Sequence, residues 1–385
     1  MRSVPAVLAL LLVLAGCGRA TAPRTSGTAR AQPRQVGSTV SGMETRVLGD
    51  EDPLLELGAY DDQDLFAYGL TALEEGNPTL ARVAFSRLIA EFPRSRNTVP
   101  ARYNLALAVE AQGRPLEAAD LYLEYVAVLG DAELIEQAEL LLHAGLLRWE
   151  ERELPGATLA LSRALQRPEL DVADRWEARA VLARIGGLGG NWVAAEKELE
   201  SLRRAVRRYT RTTGQIVPWS SAMVWFHAAE LYRDQAKAQR LIDVDDLRAA
   251  RRWLNTTASL FLESRRCHKR VLEHRHPEWS GEAALALGAI NEEFREQMLR
   301  ADTPTGLDAE STAVYLDLLE EQTRAFLEKA AKDYRWLLLD SNDLRVTGEA
   351  LEALKDALRR VEEQLERPNS TATGPQKGEG SDGEP

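Results

Sequence analysis

The chain has 385 residues, 44% hydrophobic, 28% charged and only 6% aromatic, with 48 Lys and Arg against 60 Asp and Glu and a net charge of -12. That composition suits a globular protein and excludes a polytopic membrane protein, a collagenous or wholly disordered chain and, through its acidity, a general nucleic-acid binder. Two cysteines, Cys17 and Cys267, are too few for a disulfide framework. The chain opens MRSVPAVLALLLVLAGCGRA, with a positive charge at Arg2, an apolar run from Val4 to Leu14 and then small residues. This is the layout of a secretory signal peptide over residues 1–16, and its apolar run is shorter than the about 20 residues a spanning helix needs.

Leu14-Ala15-Gly16-Cys17 resembles the lipobox of bacterial lipoproteins. The resemblance implies cleavage before Cys17, a diacylglyceryl group on its thiol and acylation of the new amino terminus. At about 0.8 kcal/mol per buried methylene, two or more acyl chains hold a protein on a membrane essentially permanently. By resemblance to enterobacterial lipoprotein sorting, Gly18 in the place where Asp would signal retention favours the periplasmic face of the outer membrane. Residues 17–57 are rich in Thr, Ser, Gly, Pro and Arg without apolar periodicity and read as a lipidated cysteine followed by a disordered tether of roughly 35 Å reach. Residues 1–46 carry Arg2, Arg19, Arg24, Arg30, Arg34 and Arg46 against Glu44, a net charge of +5, which leaves -17 on the remainder of the chain.

Residues 58–210 carry an internal repeat. DLFAYGLTALEEGNPTLARVAFSRLIAEFP aligns with RYNLALAVEAQGRPLEAADLYLEYVAVLG, placing Gly69 on Ala106, Gly76 on Gly113, Pro78 on Pro115, Ala81 on Ala118 and Phe85 on Tyr122. Small residues recur where helices approach closely, and a ring recurs where a gap must be filled. Asn77 is placed to cap a helix that Pro78 begins, after Gly76 ends the preceding one. A third unit shows Gly145, Pro155, Ala157, Leu161 and Ala164, and a fourth shows Ala183, a turn at Gly189-Gly190-Asn191, Ala195 and Leu199. The pattern resembles the tetratricopeptide repeat, a helix-turn-helix unit. Beyond Thr210 the repeat fades but helical spacing persists. Helices are predicted over 220–239, 245–274, 278–300, 308–339 and 347–366 within a carboxyl-terminal half of 211–366. Residues 367–385 read as a disordered tail. The fold class implied is all-α, a tetratricopeptide-like α-solenoid with a long-helix carboxyl-terminal half.

AEFPRS at Ala90–Ser95, followed by VPARYNLA at Val99–Ala106, resembles the inter-repeat join of bacterial envelope repeat lipoproteins. Examples are the helical lipoprotein subunit of the β-barrel assembly machinery and the Tol-Pal-associated periplasmic repeat protein. The likeness covers residues 61–130 closely and 131–210 loosely. Carried over from the repeat family, the first helix of each unit lines a groove. That places Phe66, Leu70, Leu73 and Glu74 there from the first unit, Tyr103, Leu107 and Glu110 from the second, and Leu142, Leu146, Trp149 and Glu150 from the third. Phe66, Tyr103, Leu146 and Trp149 are the candidate partner-binding residues. The competing reading is that the tether or the carboxyl-terminal helices fill this groove and make them core.

Nothing in the sequence specifies catalysis, a cofactor or a metal. Cys267, His268, Glu273, His274 and His276 are the densest group of ligand-type residues, but they lack the paired spacing of a zinc site, and the segment reads as a solvated basic helix end. Ile185–Asn191, rich in glycine, follows a helix rather than a strand and reads as a loose inter-helix turn, not a phosphate cradle. The function implied is a non-catalytic, lipid-anchored envelope adaptor that binds envelope proteins of unknown identity and no nucleic acid. The alternative is an envelope enzyme directed at peptidoglycan, with its site in the carboxyl-terminal half.

Overall fold

The computed structural model describes residues 60–130, 133–241 and 243–366. The signal peptide, Cys17, the tether and the tail all lie outside the described residues. Within them the chain is all-α, with fourteen helices and no strand. None of these helices is long and apolar enough to cross a membrane. Contacts divide the described chain into two compact bodies, residues 60–189 and 190–366.

The amino-terminal body contains α1 (Asp62–Glu74), α2 (Pro78–Glu91), α3 (Thr98–Ala111), α4 (Pro115–Val128), α5 (Leu134–Glu150), α6 (Leu154–Leu165) and α7 (Val172–Leu188), each packed on the next. Its turns are written locally. Gly76 and Gly113 adopt φ of 74° and 71°, a left-handed conformation that costs an L side chain about 1 kcal/mol or more. Pro78 and Pro115 then open α2 and α4, where their missing N–H is no loss. Asn77 Oδ1 accepts from Leu80 N at 3.2 Å, as its position predicts. In the third unit Arg152 takes the left-handed position, with φ of 61°, and Glu153 caps α6 by accepting from Gly156 N at 2.9 Å.

Packing within a pair sets a small residue on the first helix against a large one on the second. A Cβ at Gly69 would sit 2.6 Å from the Phe85 ring, and one at Gly145 would sit 2.7 Å from Leu161. Ala106 and Tyr122 occupy the equivalent positions, both buried in one cluster. Ala81 and Ala118 are fully buried as well, so the residues that recur in the sequence are those at the helix contacts. First helices also meet one another. His143 on α5 reaches Glu110 on α3, and Arg184 on α7 covers Trp149 on α5. The body is thus a two-layer helical-repeat solenoid, with α1, α3, α5 and α7 in one layer and α2, α4 and α6 in the other. The longer connection 166–171 is held by Arg175, whose guanidinium donates to the carbonyls of Leu165 and Arg167 at 2.9 and 2.8 Å.

The carboxyl-terminal body contains α8 (Trp192–Thr213), α9 (Pro218–Ala238), α10 (Leu247–Glu273), α11 (Pro277–Leu299), α12 (Ala309–Leu339), the short α13 (Ser341–Leu344) and α14 (Gly348–Glu366). The five long helices expected here are present with ends shifted by a residue or two; α13 was not foreseen. Pro218 and Pro277 open α9 and α11, and Asp246 and Asp308 cap α10 and α12. The core runs through Phe261, Leu287, Phe294, Leu327, Tyr334 and Val361. Gly288 lies flat against the Tyr334 ring, the same small-on-large device at larger scale.

Two sequence readings are corrected. Ile185–Leu188 is not turn but the last part of α7, which runs through Gly186 and Gly187 before the chain turns at Gly189 and Gly190. The segment from Glu263 to His276 is not a uniformly solvated helix end. Lys269 and Arg270 are exposed, but Cys267 and His268 face the core at 2% and 0% exposure, because α10 continues to Glu273 and must bury one stripe along its whole length.

Candidate functional site

The four expected partner-binding residues lie on the first-helix layer of the amino-terminal body, and all four are half-buried. Phe66 on α1 meets Phe85 edge-on, with centroids 5.9 Å apart. Tyr103 on α3 lies between Tyr122 and Tyr125 of α4, at 6.0 and 5.6 Å. Leu146 and Trp149 on α5 pack against the cluster that contains Tyr122 and Leu161. Arg152 and Arg184 lie over the Trp149 ring at 5.2 and 5.0 Å. Phe66, Tyr103 and Leu146 are thus packed on the repeat core yet partly exposed, whereas the Trp149 ring is covered in part by Arg152 and Arg184. One assigned groove position differs: Leu142 is core, at 5% exposure, and the residue that turns to the open side is its neighbour His143.

His143 completes a polar cluster on this face. Tyr122 Oη donates to Glu110 Oε2 at 2.7 Å, and His143 Nε2 lies 2.9 Å from the same oxygen. The imidazole also stands edge-on to the Tyr122 ring, 5.1 Å between centroids. Burial disfavours the Glu110 anion, yet the hydrogen bond and charge of His143 and the bond from Tyr122 outweigh it and hold the carboxyl below its ordinary range. Tyr125 Oη donates to Glu136 Oε1 at 3.0 Å. Burial raises the Tyr103 hydroxyl, and Glu136, Glu110 and Glu139 raise it further, placing three carboxylates around one ring. Burial raises Glu150 too; His143 opposes this, while Glu110 and Glu151 add to it. The signal that could have shown His143 was its spacing from Glu110, which matches the thirty-odd-residue repeat and so sets the two on adjacent first helices.

This arrangement offers rings, apolar stems and carboxylates on one face, which suits recognition of a side-chain-bearing segment.

The carboxyl-terminal half holds its carboxylates differently. Asp333 accepts from both guanidinium nitrogens of Arg265 at 2.5 and 2.7 Å and from Asn291 at 2.8 Å. Glu293 is bound by Arg233 at 2.7 Å and Lys237 at 2.7 Å, and Glu230 by Arg233 at 3.0 Å. A cleft of about 390 Å³ beside them is lined by Glu230, Arg233, Tyr334 and Arg360 over a floor of alanines. Asp333 and Glu293 are thereby tied between helices, whereas Glu230 and Arg233 pair within α9. Cys267 is a free buried thiol raised to about 11 by burial, in a range where it is not nucleophilic. Among the described residues no three His, Cys, Asp or Glu side chains converge as a metal site.

No family model matches the chain, and no curated protein matches it. Among solved structures it is similar to a tetratricopeptide repeat protein from Parabacteroides merdae, with 14% identity over 78% of this chain and 98% of that one and a TM-score of 0.36. It is also similar to a circular tandem repeat protein with novel repeat topology and enhanced subunit contact surfaces, with 16% identity over 79% and 76% of the two chains and a TM-score of 0.20.

Proposed function

We propose that the chain is a non-catalytic adaptor, anchored in a bacterial envelope by lipid on Cys17, that binds protein partners on the first-helix face of its amino-terminal body. The observation that carries the binding part is the row of half-buried Phe66, Tyr103, Leu146 and Trp149 on one helix layer, framed by Glu110, Glu139 and Glu150. Partly exposed aromatic side chains fixed by a core are among those that most often dominate protein interfaces. The anchoring part rests on the signal sequence and on Leu14-Ala15-Gly16-Cys17. Support for attachment at the outer membrane is Gly18 alone.

The test of the binding face is Tyr103→Ala and Trp149→Ala, each assayed for melting and for recovery of envelope proteins after crosslinking in intact cells. Preserved melting with lost recovery is the expected result. A loss of stability of about 3 kcal/mol or more per site, the cost of deleting a fully buried aromatic, would return these residues to the core. Unchanged melting and unchanged recovery would remove them from function. For the anchor, Cys17→Ala is expected to shift the protein out of the membrane fraction. Retention there at high salt, with the signal removed, would rule out the lipid.

A further inference from the structure

We infer that one end of the carboxyl-terminal body, formed by the α8–α9 and α10–α11 turns, docks on an anionic phospholipid bilayer, with arginines on the headgroup phosphates and Ile216 in the acyl boundary. The inference goes beyond the adaptor reading and does not rest on Cys17, because the contact is made by the folded body. The two turns lie side by side. Trp219 at the start of α9 and Trp279 at the start of α11 meet with ring centroids 5.8 Å apart, and Trp219 Nε1 donates to Glu278 Oε2 at 2.8 Å. Trp279 lies 5.1 Å from Phe226, which fixes the indole pair to the core, yet both indoles remain partly exposed.

Charge sets this end apart. In a chain of net charge -12, residues 201–229 contain Arg203, Arg204, Arg207, Arg208 and Arg211 and no Asp or Glu. Arg203, Arg204 and Arg207 share Glu200 on the preceding turns of α8. Arg208 and Arg211 on the last turns of α8 and Arg275 between α10 and α11 are exposed, and none of the three forms an ion pair among the described residues. The acids beside them are engaged, Glu273 by Arg270 and Glu278 by Trp219. Towards α14, whose Ala350 meets Gly281, the exposed acids are Asp340, Asp343 and Glu349, so the basic surface is confined to the α8–α11 side. Residues 211–216 are exposed without a break, Gly214 ends α8 at φ of 72°, and Ile216 is 72% exposed. An acidic protein would be met by the arginines alone. An exposed aliphatic tip between arginines and a pair of indoles matches a bilayer interface, where Trp rings sit at headgroup level and aliphatic side chains below it. Each basic side chain near an anionic surface strengthens attachment about fivefold, so three unpaired arginines give about a hundredfold.

The test places an environment-sensitive fluorophore at Ile216→Cys in the full chain and follows its quenching by brominated phosphatidylcholine in vesicles that also contain phosphatidylglycerol. Leu247→Cys, exposed at the start of α10 and so at the opposite end of the same body, is the reference position, and the unsubstituted chain sets the background from Cys17 and Cys267. Quenching at position 216 is expected to exceed that at 247 at least about threefold, and to fall to the level of 247 without phosphatidylglycerol or in Arg208→Gln/Arg211→Gln. Neither arginine side chain is bonded among the described residues, so the melting of that variant is expected to match the parent. Equal quenching at the two positions in every vesicle would overturn the inference and leave the basic turn to an acidic protein. Quenching that persists without phosphatidylglycerol, or in the arginine variant, would also overturn it. A spectral shift that appears without vesicles and grows with protein concentration would assign this end to a second copy instead. Partner recovery and fractionation of Cys17→Ala are read separately, so failure here leaves the adaptor reading standing, and the reverse.

Discussion

The two bodies solve the same problem, holding helices against helices, with different chemistry. In residues 60–189 the contacts are made by alanines, glycines and rings at recurring positions, and the turns by glycine and proline; its charged groups sit mostly at the surface. In residues 190–366 the helices are longer, reaching 27 residues in α10 and 31 in α12, and they are cross-linked by partly buried ion pairs such as Arg265–Asp333 and Arg233–Glu293. A short repeat specifies itself locally, because each helix pair meets its neighbour in the same way. Long helices with few repeats have many registers in which apolar stripes match, and a buried charge pair that is satisfied in one register only is a way to choose among them.

The largest expected effect separates these two devices. Asp333→Ala strips Arg265 and Asn291 of their shared acceptor in a mostly buried site and is expected to cost about 3 kcal/mol or more, measured by denaturant unfolding. Replacing both members, Arg265→Met with Asp333→Leu, is expected to recover most of that loss. A loss below about 1 kcal/mol in Asp333→Ala would mean that the pair does not hold α10 to α12.

Next are the close approaches, which both bodies share. Gly69→Ala and Gly288→Ala each force a Cβ into a ring, Phe85 in one and Tyr334 in the other, and overpacking of this kind costs about 1–3 kcal/mol. Ala gains up to about 1 kcal/mol over Gly in a helix, so a net loss in thermal melts is diagnostic of the contact. Ala118→Leu is expected to fall in the same range, since Ala118 is fully buried. If either glycine variant were more stable than the parent, the small-on-large account of that body would be lost.

Acid acts on the carboxyl-terminal body. Burial holds His268 below the ordinary histidine range, although Glu230 pulls the other way and Arg233 adds to the lowering. His274 is lowered by burial as well. The unfolded chain then takes up protons, near pH 6.5, that the folded chain refuses. Stability is therefore expected to fall as the pH drops below about 6.5, by up to about 1.4 kcal/mol per pH unit for each such histidine. Unfolding free energies at several pH values in His268→Leu are expected to show a shallower fall between pH 6.5 and 5. An unchanged slope would remove His268 from the acid response.

The smallest effect belongs to the turns. Gly76→Ala meets no atom within 4 Å, so its expected loss of about 1 kcal/mol arises from the left-handed backbone alone. A loss as large as that of Gly69→Ala would mean that the turn, and not the helix contact, sets the stability of the first unit.

The sequence by itself determined the helices, the turns and the repeat. Gly76, Asn77 and Pro78 act through their own backbone and nearest neighbours, and Gly69, Ala81, Ala106 and Ala118 act at a fixed separation that periodicity reveals. It also placed Phe66, Tyr103, Leu146 and Trp149 on one layer, because membership of a layer follows from position within the repeat. What only the tertiary structure decided is which side of each helix is open. Leu142 and His143 are adjacent in sequence, and a rotation of one residue about α5 makes one core and the other a partner of Glu110. The same holds for Cys267 and His268, which share a basic stretch but lie on the buried stripe of α10. Pairings such as Arg265 with Asp333 join residues far apart in the chain, between helices whose register no local spacing encodes. Local geometry is carried by a few neighbouring residues and can be read from them; burial and charge pairing depend on which distant helix arrives, and that is a property of the packed body alone.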